Sequence, residues 1–440
     1  MHDPIFKNEK FPQLVKRKKS LEESFYLAKI VNKYYCDITQ EKTHSEDGFW
    51  YNFGYKNIGI IFWGFISWLI DSSAEDSIEK IFFLSRDGYI MKEVYDLASE
   101  YHENLPPAEY LYASRRALNI PSIVEFNDLD IDFLLSGTST LKVSQFLQRA
   151  GLEPNNYVQE IKVVGFNDMN QEVISGKDYV MLKSLFDLLA SDVKELAELE
   201  RKNLIIYLNS VGILDKKKVA VVDIGWHGSM QYSISRVLKA LGKDIEVQGY
   251  YFGTKRKAVK FYNKGMNMSG YLCNFGSPKY YNSIIKLSTE IFEFIHSAPH
   301  GSVIKYACED QGIKPVLEKS DLGSNEVRKV KMMHMGALEF ISEYLEHIEK
   351  YPFIKTPKDM AIRPLHRVLK VPTLEEAEQL GDIEHAEGFG DVNTKRYIAQ
   401  PPSYTPLLLL RFDKLFMSLK SSFWKMGYIK RFLSKTYRIF

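Results

Sequence analysis

Cysteine is scarce: Cys36, Cys273 and Cys308 are the only three in 440 residues, far apart in sequence and without a CxxC pair. That spacing excludes a disulfide framework and a thiolate zinc motif, and a reducing cytoplasm is the simplest home for such a chain. An HExxH element and any Cys/His cluster are also missing, which argues against a catalytic transition metal. The glycine loops match neither GxGxxG nor GxxxxGK[ST], so the usual dinucleotide and P-loop cradles are excluded. The basic N-terminus, MHDPIFKNEKFPQLVKRKK, is not followed by the apolar stretch of a secretory signal. The apolar run from Ile58 to Ile70 is shorter than the roughly 20 residues that span a bilayer. It reads as a buried helix, with Trp63 and Trp68 in the core. Internal repeats and low-complexity segments are absent too.

What is present is an ordinary globular composition, 45% hydrophobic and 26% charged. The length exceeds the roughly 250–300 residues at which one core stops growing, so a main domain with helical additions is expected, two or three lobes in all. The formal net charge of +2 conceals an uneven distribution. From Arg411 to Phe440 eight basic residues face the single acid Asp413, while the rest of the chain is slightly acidic.

Residues 1–48 read as a basic leader and a helical arm, with Ser20 and Glu23 spaced as a capping box. Lys80 to Leu84 (KIFFL) has the continuous apolar character of a short buried strand. After Ser85-Arg86-Asp87-Gly88 the spacing becomes helical, so the segment predicts strand, tight loop and helix. Tyr110 to Tyr112 is a second short strand leading into Ser114-Arg115-Arg116. Lys218 to Val222 (KVAVV) is a β-branched strand, followed by a loop from Asp223 to Ser229, an amphipathic helix, and a further strand at Val247 to Gly253. Residues 49–120 and 212–310 therefore predict an α/β core, a mostly parallel sheet flanked by helices, with ligand loops at the carboxyl ends of the strands. Residues 121–211, with helices at Val143–Ala150, Tyr179–Ala190 and Val193–Val211, predict an inserted helical lobe. Residues 311–400 predict a C-terminal helical region, and 401–440 a basic amphipathic tail with a break at Gly427.

Three segments carry groups suited to chemistry. In the loop Asp223-Ile224-Gly225-Trp226-His227-Gly228-Ser229 two glycines allow close backbone approach, and Ser229 opens a helix whose N–H groups and dipole favour a phosphate. Asp223 stands where a strand-end carboxylate can accept hydrogen bonds from sugar hydroxyls; the plainer reading is a tight turn with Ser229 as its N-cap. In Ser85-Arg86-Asp87-Gly88 an arginine beside an aspartate offers a diphosphate clamp and a Mg²⁺ contact through Asp87, since Mg²⁺ takes one or two carboxylates plus phosphate oxygens. Arg115 and Arg116 add two guanidiniums suited to bidentate phosphate binding, although one of them is expected on a solvated face. Glu290 and Glu293 share one helix face, where an aromatic setting can raise a carboxyl toward the pKa of a general base, and Pro299 and Gly301 turn His300 out of that helix.

The blocks FFLSRDGYIMKEVYD, YLYASRRALNIPSI, VAVVDIGWHGSMQ and EFIHSAPHGSV together resemble those of bacterial glycan phosphoribosyltransferases, a surface-polysaccharide module often fused to a HAD-type phosphatase domain. The resemblance covers about residues 50 to 310. It implies a phosphoribosyltransferase-like fold that uses phosphoribosyl diphosphate (PRPP) and Mg²⁺ to place ribose 5-phosphate on a growing glycan, whose phosphate a separate phosphatase removes. It implies that Asp223 holds the ribose hydroxyls and that Gly225, Trp226, His227, Gly228 and Ser229 form the 5-phosphate loop. Diphosphate and Mg²⁺ fall to Ser85, Arg86, Asp87 and Gly88, helped by Arg115 and Arg116, while Glu293, or else Glu290 or His300, deprotonates the acceptor. Ile224 departs from the pattern, standing where a second acid is common, and Trp226-His227-Gly228 replaces a Thr-Gly-Gly element.

A nucleotide-sugar-dependent glycosyltransferase needs similar loops and is the alternative enzyme reading; a non-catalytic scaffold is another. A HAD-like phosphatase requires a nucleophilic Asp two residues before its acid/base Asp, but Ser85 precedes Asp87 and Gly225 follows Asp223 at that spacing. The tail, with Phe416, Leu419, Phe423, Ile429 and Leu433 among its bases, has the pattern of a helix lying at a membrane surface, where a lipid-linked glycan acceptor would reside. The expectation is a cytoplasmic protein peripheral to the inner membrane face. No nucleic-acid-binding motif accompanies the basic patch.

Overall fold

The computed structural model describes residues 45–126, 128–136, 140–174, 176–274, 279–310, 312–320, 322–350, 356–386, 395–402 and 412–437. The expected N-terminal helix at Ser20 lies outside them.

Helix α1 (Glu46–Phe53) continues through a π turn at Gly54–Ile58 into α2 (Gly59–Glu75), and the chain then enters strand β1 (Lys80–Leu84). Helix α3 (Gly88–Ser99) leads to β2 (Ala108–Leu111), and α4 (Arg115–Asn119) to the lobe that ends in α5 (Ala190–Ser210). Strand β3 (Lys218–Trp226), α6 (Ser229–Ala240), β4 (Glu246–Thr254) and β5 (Met268–Cys273) complete the sheet. All five strands are parallel, in the order β2-β1-β3-β4-β5. From β1 the chain moves outward to β2 and then crosses back to the other side of β1 to form β3. The order therefore reverses between β1 and β3, and in open α/β sheets the crevice beyond the strand ends at such a point is where ligands bind.

The continuous apolar run in KIFFL and the β-branched run in KVAVV are buried because helices cover both faces of the sheet. The strands differ from the sequence expectation in several places: β2 starts at Ala108 and ends at Leu111, and β4 is one residue longer at each end. β3 does not stop at Val222 but runs to Trp226, because β4 pairs with it as far as Trp226 opposite Thr254. β5, MSGYLC, was not foreseen at all; its glycine and mixed polarity hide a strand paired only along β4.

The stretch Glu46–Glu75 is longer than the apolar run suggested, and by length and composition it could cross a membrane, yet 78% of its most apolar window is buried inside the fold. It packs against α8 (Ser324–Lys350), where a Cβ on Gly54 would come 1.8 Å from the Met333 carbonyl oxygen and one on Gly336 2.0 Å from that of Tyr51. The inserted lobe has its own apolar cluster, which includes Phe146, Leu185 and Phe186, and it contains an unforeseen antiparallel strand pair, Thr140–Lys142 with Glu172–Ile174. The region after residue 300 is also less purely helical than expected. A hairpin spans Val303–Glu309 and Gly312–Leu317, and a smaller one pairs Glu384–Ala386 with Lys395–Tyr397. Between them lie α8, α9 (Lys358–Lys370) and α10 (Leu374–Gly381).

The tail forms α11 (Phe412–Ser421) and α12 (Lys425–Tyr437). Its break falls between these helices and not at Gly427, which lies inside α12 where a Cβ would strike the Trp424 ring at 2.2 Å.

Candidate active site

The site is built where β1 and β3 end. Asp87 follows β1 and Asp223 lies within the last turns of β3; Asp223 is buried, whereas Asp87 keeps some accessible surface in the crevice. Their carboxyls hydrogen-bond each other. Asp223 also accepts from the Ile224 amide at 2.9 Å. Burial raises both carboxyls above the ordinary carboxylate range; the charge of Glu293 raises Asp87 further, and that of Asp87 raises Asp223 further.

Arg115, at the start of α4 after β2, is the opposing charge. Burial lowers its pKa, while Glu293, Asp87 and Asp223 all act on it in the other direction. Arg86 acts electrostatically on Asp87, on Arg115 and on His300. Five expected residues, Arg86, Asp87, Arg115, Asp223 and Glu293, are thus mutually coupled in one crevice although they come from four separate parts of the chain. His300 borders this group through Arg86; its Nε2 meets the Tyr110 hydroxyl at 2.8 Å and its Nδ1 the Gly301 carbonyl at 2.8 Å.

The second loop lies beside it. Gly225 has φ +126°, and a Cβ there would sit 2.2 Å from the Gly253 carbonyl oxygen, so the backbone passes too close to β4 for any other residue. Gly228, at φ +84°, is the N-cap of α6 and offers no side chain, so Ser229 is the first helical residue and not the cap. The first N–H groups of α6 thus have no side-chain cap, the condition in which a helix N-terminus favours an anion. His227 is held neutral, its pKa lowered to about 4 by burial and by the nearby charges of Lys257, Lys255, Arg115 and Lys260. This basic surround is an attraction for phosphate.

On the far side of Trp226, α7 (Thr289–Ile295) carries the two glutamates. Trp226 Nε1 donates to Glu293 Oε1 at 3.2 Å, and Lys255 lies 4.2 Å over the Trp226 ring while donating to Thr289 Oγ1 at 3.1 Å. His385, from the small C-terminal hairpin, stands 3.8 Å from Glu293. Glu290 is raised by burial, and His385 offsets part of that rise.

Three expected ligand contacts have structural roles instead. The Ser85 hydroxyl donates to the Ala113 carbonyl at 2.8 Å and accepts from the Ala113 amide at 2.9 Å, latching the ends of β1 and β2 together. Gly88 is required because a Cβ would meet the Phe83 backbone at 2.8 Å, where α3 folds back on β1. Arg116 points away from the crevice and forms a two-pronged pair with Glu200 of α5, both bonds 2.7 Å, tying the lobe to the sheet. Its guanidinium is thus committed to Glu200 and does not lie on a solvated face.

Sequence reasoning missed Lys255, Lys257, Lys260 and His385. The three lysines follow β4 in TKRKAVK, a basic run at a strand end that could have been read as a phosphate signal. His385 had no local signal, because only the tertiary fold brings its hairpin to α7.

Among the described residues no group of three or more His, Cys, Asp or Glu is placed to hold a metal. The two coupled carboxylates alone suit Mg²⁺ only when phosphate oxygens complete its shell. No protein-family model matches the chain, and no curated protein matches it.

Proposed function

We propose that this chain is a glycan phosphoribosyltransferase, transferring 5-phosphoribosyl from PRPP to a hydroxyl of a glycan acceptor and releasing diphosphate. The observation that carries the reading is the coupling of Asp87, Asp223 and Arg115 at the switch point of the sheet, beside a glycine loop surrounded by Lys255, Lys257 and Lys260. A donor with phosphates at both ends needs cationic groups for each and a carboxylate for the hydroxyls between them, and the residues gathered here are of those kinds.

In this reading Arg86 and Arg115 receive the diphosphate, and the backbone from Gly225 to Ser229 receives the 5-phosphate. Asp223 orients the ribose through its hydroxyls. Asp87, with Asp223, would hold Mg²⁺ when the donor's phosphate oxygens complete the shell. That ion would supply neutralisation of the leaving diphosphate. The ionised form of both carboxyls would be favoured with a divalent cation held between the pair and the donor's phosphates.

Transfer is a displacement at the anomeric carbon. The bond from C1 to the diphosphate oxygen breaks, the acceptor oxygen bonds C1 from the opposite face, and the acceptor proton passes to Glu293. An α donor then gives a β-ribosyl product. Arg86 and Arg115 stabilise the charge that develops on the leaving group, the kind of fixed electrostatic contribution that matters most in a water-poor site. Glu293 suits the base role better than Glu290 or His300. It lies within the coupled group, whereas Glu290 faces Ser288 and His385, and both ring nitrogens of His300 have partners.

Titration of the purified chain with PRPP, and with UDP- and GDP-sugars, in the presence of Mg²⁺ tests the reading. Saturable binding of PRPP alone is expected. Preferential binding of a nucleotide sugar would replace it with the alternative glycosyltransferase reading.

A further inference from the structure

The two C-terminal helices present a second surface that the transfer reading does not use. They are fixed to the body of the protein from within. Trp424, between them, is fully buried and donates Nε1 to the Leu369 carbonyl at 2.8 Å. Arg431 is buried in α12 and binds Asp382 at 2.6 Å and the Ala399 carbonyl at 2.9 Å. Tyr428 is buried alongside them. The inner face of the pair is therefore already satisfied by contact with α9, α10 and the strand-end at Ala399.

The outer face is not polar, as it would be if packing on the protein were its whole purpose. Phe416 is 66% exposed and Met417 68% in α11, and Ile429 and Leu433 are exposed one turn apart in α12. Lys414, Lys420, Lys425 and Lys430 are exposed on the same two helices, and Asp413 is the only acid in either. Large apolar side chains set among lysines, with almost no acid to oppose them, match the interfacial region of an anionic bilayer in both respects: the acyl boundary takes the apolar groups and the headgroups take the charge. A protein partner of ordinary surface would match the apolar residues but would not call for this single-sign charge.

We propose that the outer face of α11 and α12 docks the protein on an anionic lipid leaflet. The proposal stands apart from the donor assignment, since it concerns a different surface and a different ligand, and its test needs no substrate.

The test is flotation of the full-length chain with vesicles of phosphatidylcholine alone and with vesicles that also contain phosphatidylglycerol. Wild-type protein is expected to float with the anionic vesicles and to be released by high salt. The pairs Phe416→Ser with Met417→Ser, and Ile429→Ser with Leu433→Ser, are each expected to lower the floated fraction at least about tenfold, as is reversal of Lys414 and Lys420 to Glu. Unchanged thermal melting of each variant excludes loss of fold as the cause. If wild type stays with the soluble fraction in both mixtures, or if the variants float as well as wild type, the proposal is overturned. It is overturned equally if light scattering shows self-association of wild type that the variants lose, with no flotation, which would make the face a contact between copies.

Discussion

The carboxyls of Asp223 and Asp87 meet within hydrogen-bonding reach across the gap between two parallel strand ends, and Arg115 faces both. Two buried acids in contact are costly unless a proton or a cation lies between them. The fold keeps them at the point where its strand order reverses, so their cost falls at the strand ends and not in the hydrophobic core.

Loss of either acid should remove transfer and spare the fold. Asp223→Ala and Asp87→Asn are expected to lower kcat/KM for diphosphate release from PRPP by at least roughly 10²-fold. Circular dichroism should remain that of wild type, and melting should not fall. Near-normal turnover in Asp223→Ala would take Asp223 out of the site.

The same pair predicts a pH dependence of stability for the ligand-free protein. Both carboxyls have folded pKa values above their unfolded ones, so between about pH 4 and those raised values the folded state binds more protons than the unfolded state. Their contribution to stability is greatest at low pH and declines as pH rises through the folded values. Asp87→Asn removes the repulsion, so its stability relative to wild type should grow from pH 4 toward neutrality, by on the order of 1–3 kcal/mol. Urea unfolding at a series of pH values measures this. A difference that is flat with pH contradicts the coupling.

Adjacent arginines should separate function from stability. Arg115→Ala is expected to weaken PRPP binding at least about tenfold with little change in melting. Arg116→Ala leaves Glu200 buried without its partner and should cost roughly 3 kcal/mol of stability. Replacing both members of that pair with apolar residues should restore much of the stability while donor affinity stays at the wild-type level. Calorimetry on the two single variants and the double variant distinguishes these outcomes.

This contrast marks how much was legible in the sequence. KIFFL and KVAVV announced β1 and β3 because buried parallel strands are continuously apolar, and the polar residues that ended each run lay at the site for that reason. Helices at 143–149, 179–188 and 190–210 were likewise readable from their spacing. What separates Arg115 from Arg116 was not readable, because it depends on where Glu200 of α5 returns to the sheet. The extension of β3 to Trp226 was hidden for a similar reason: its partner in β4 decides it, and a glycine-rich segment carries no strand preference of its own. The tail's apolar spacing was visible, but which residues turn inward was set by Leu369, Asp382 and Ala399, far away in the chain.

Gly225 is expected to tolerate no substitution. In Gly225→Ala the new methyl meets the Gly253 carbonyl, and the backbone at φ +126° disfavours any side chain. A loss of at least about 2 kcal/mol in thermal or chemical unfolding is expected, together with weakened donor binding. Gly242→Ala supplies the control: φ is also positive there, at +67°, but no atom lies within 4 Å of the new methyl, so only the smaller conformational cost should appear.

The most direct test of the account is a crystal structure of the chain soaked with PRPP and Mg²⁺. It should show the diphosphate between Arg86 and Arg115, the 5-phosphate against the backbone from Gly225 to Ser229, and the ribose hydroxyls at Asp223. A donor bound elsewhere, or one whose phosphates touch neither loop, would contradict it.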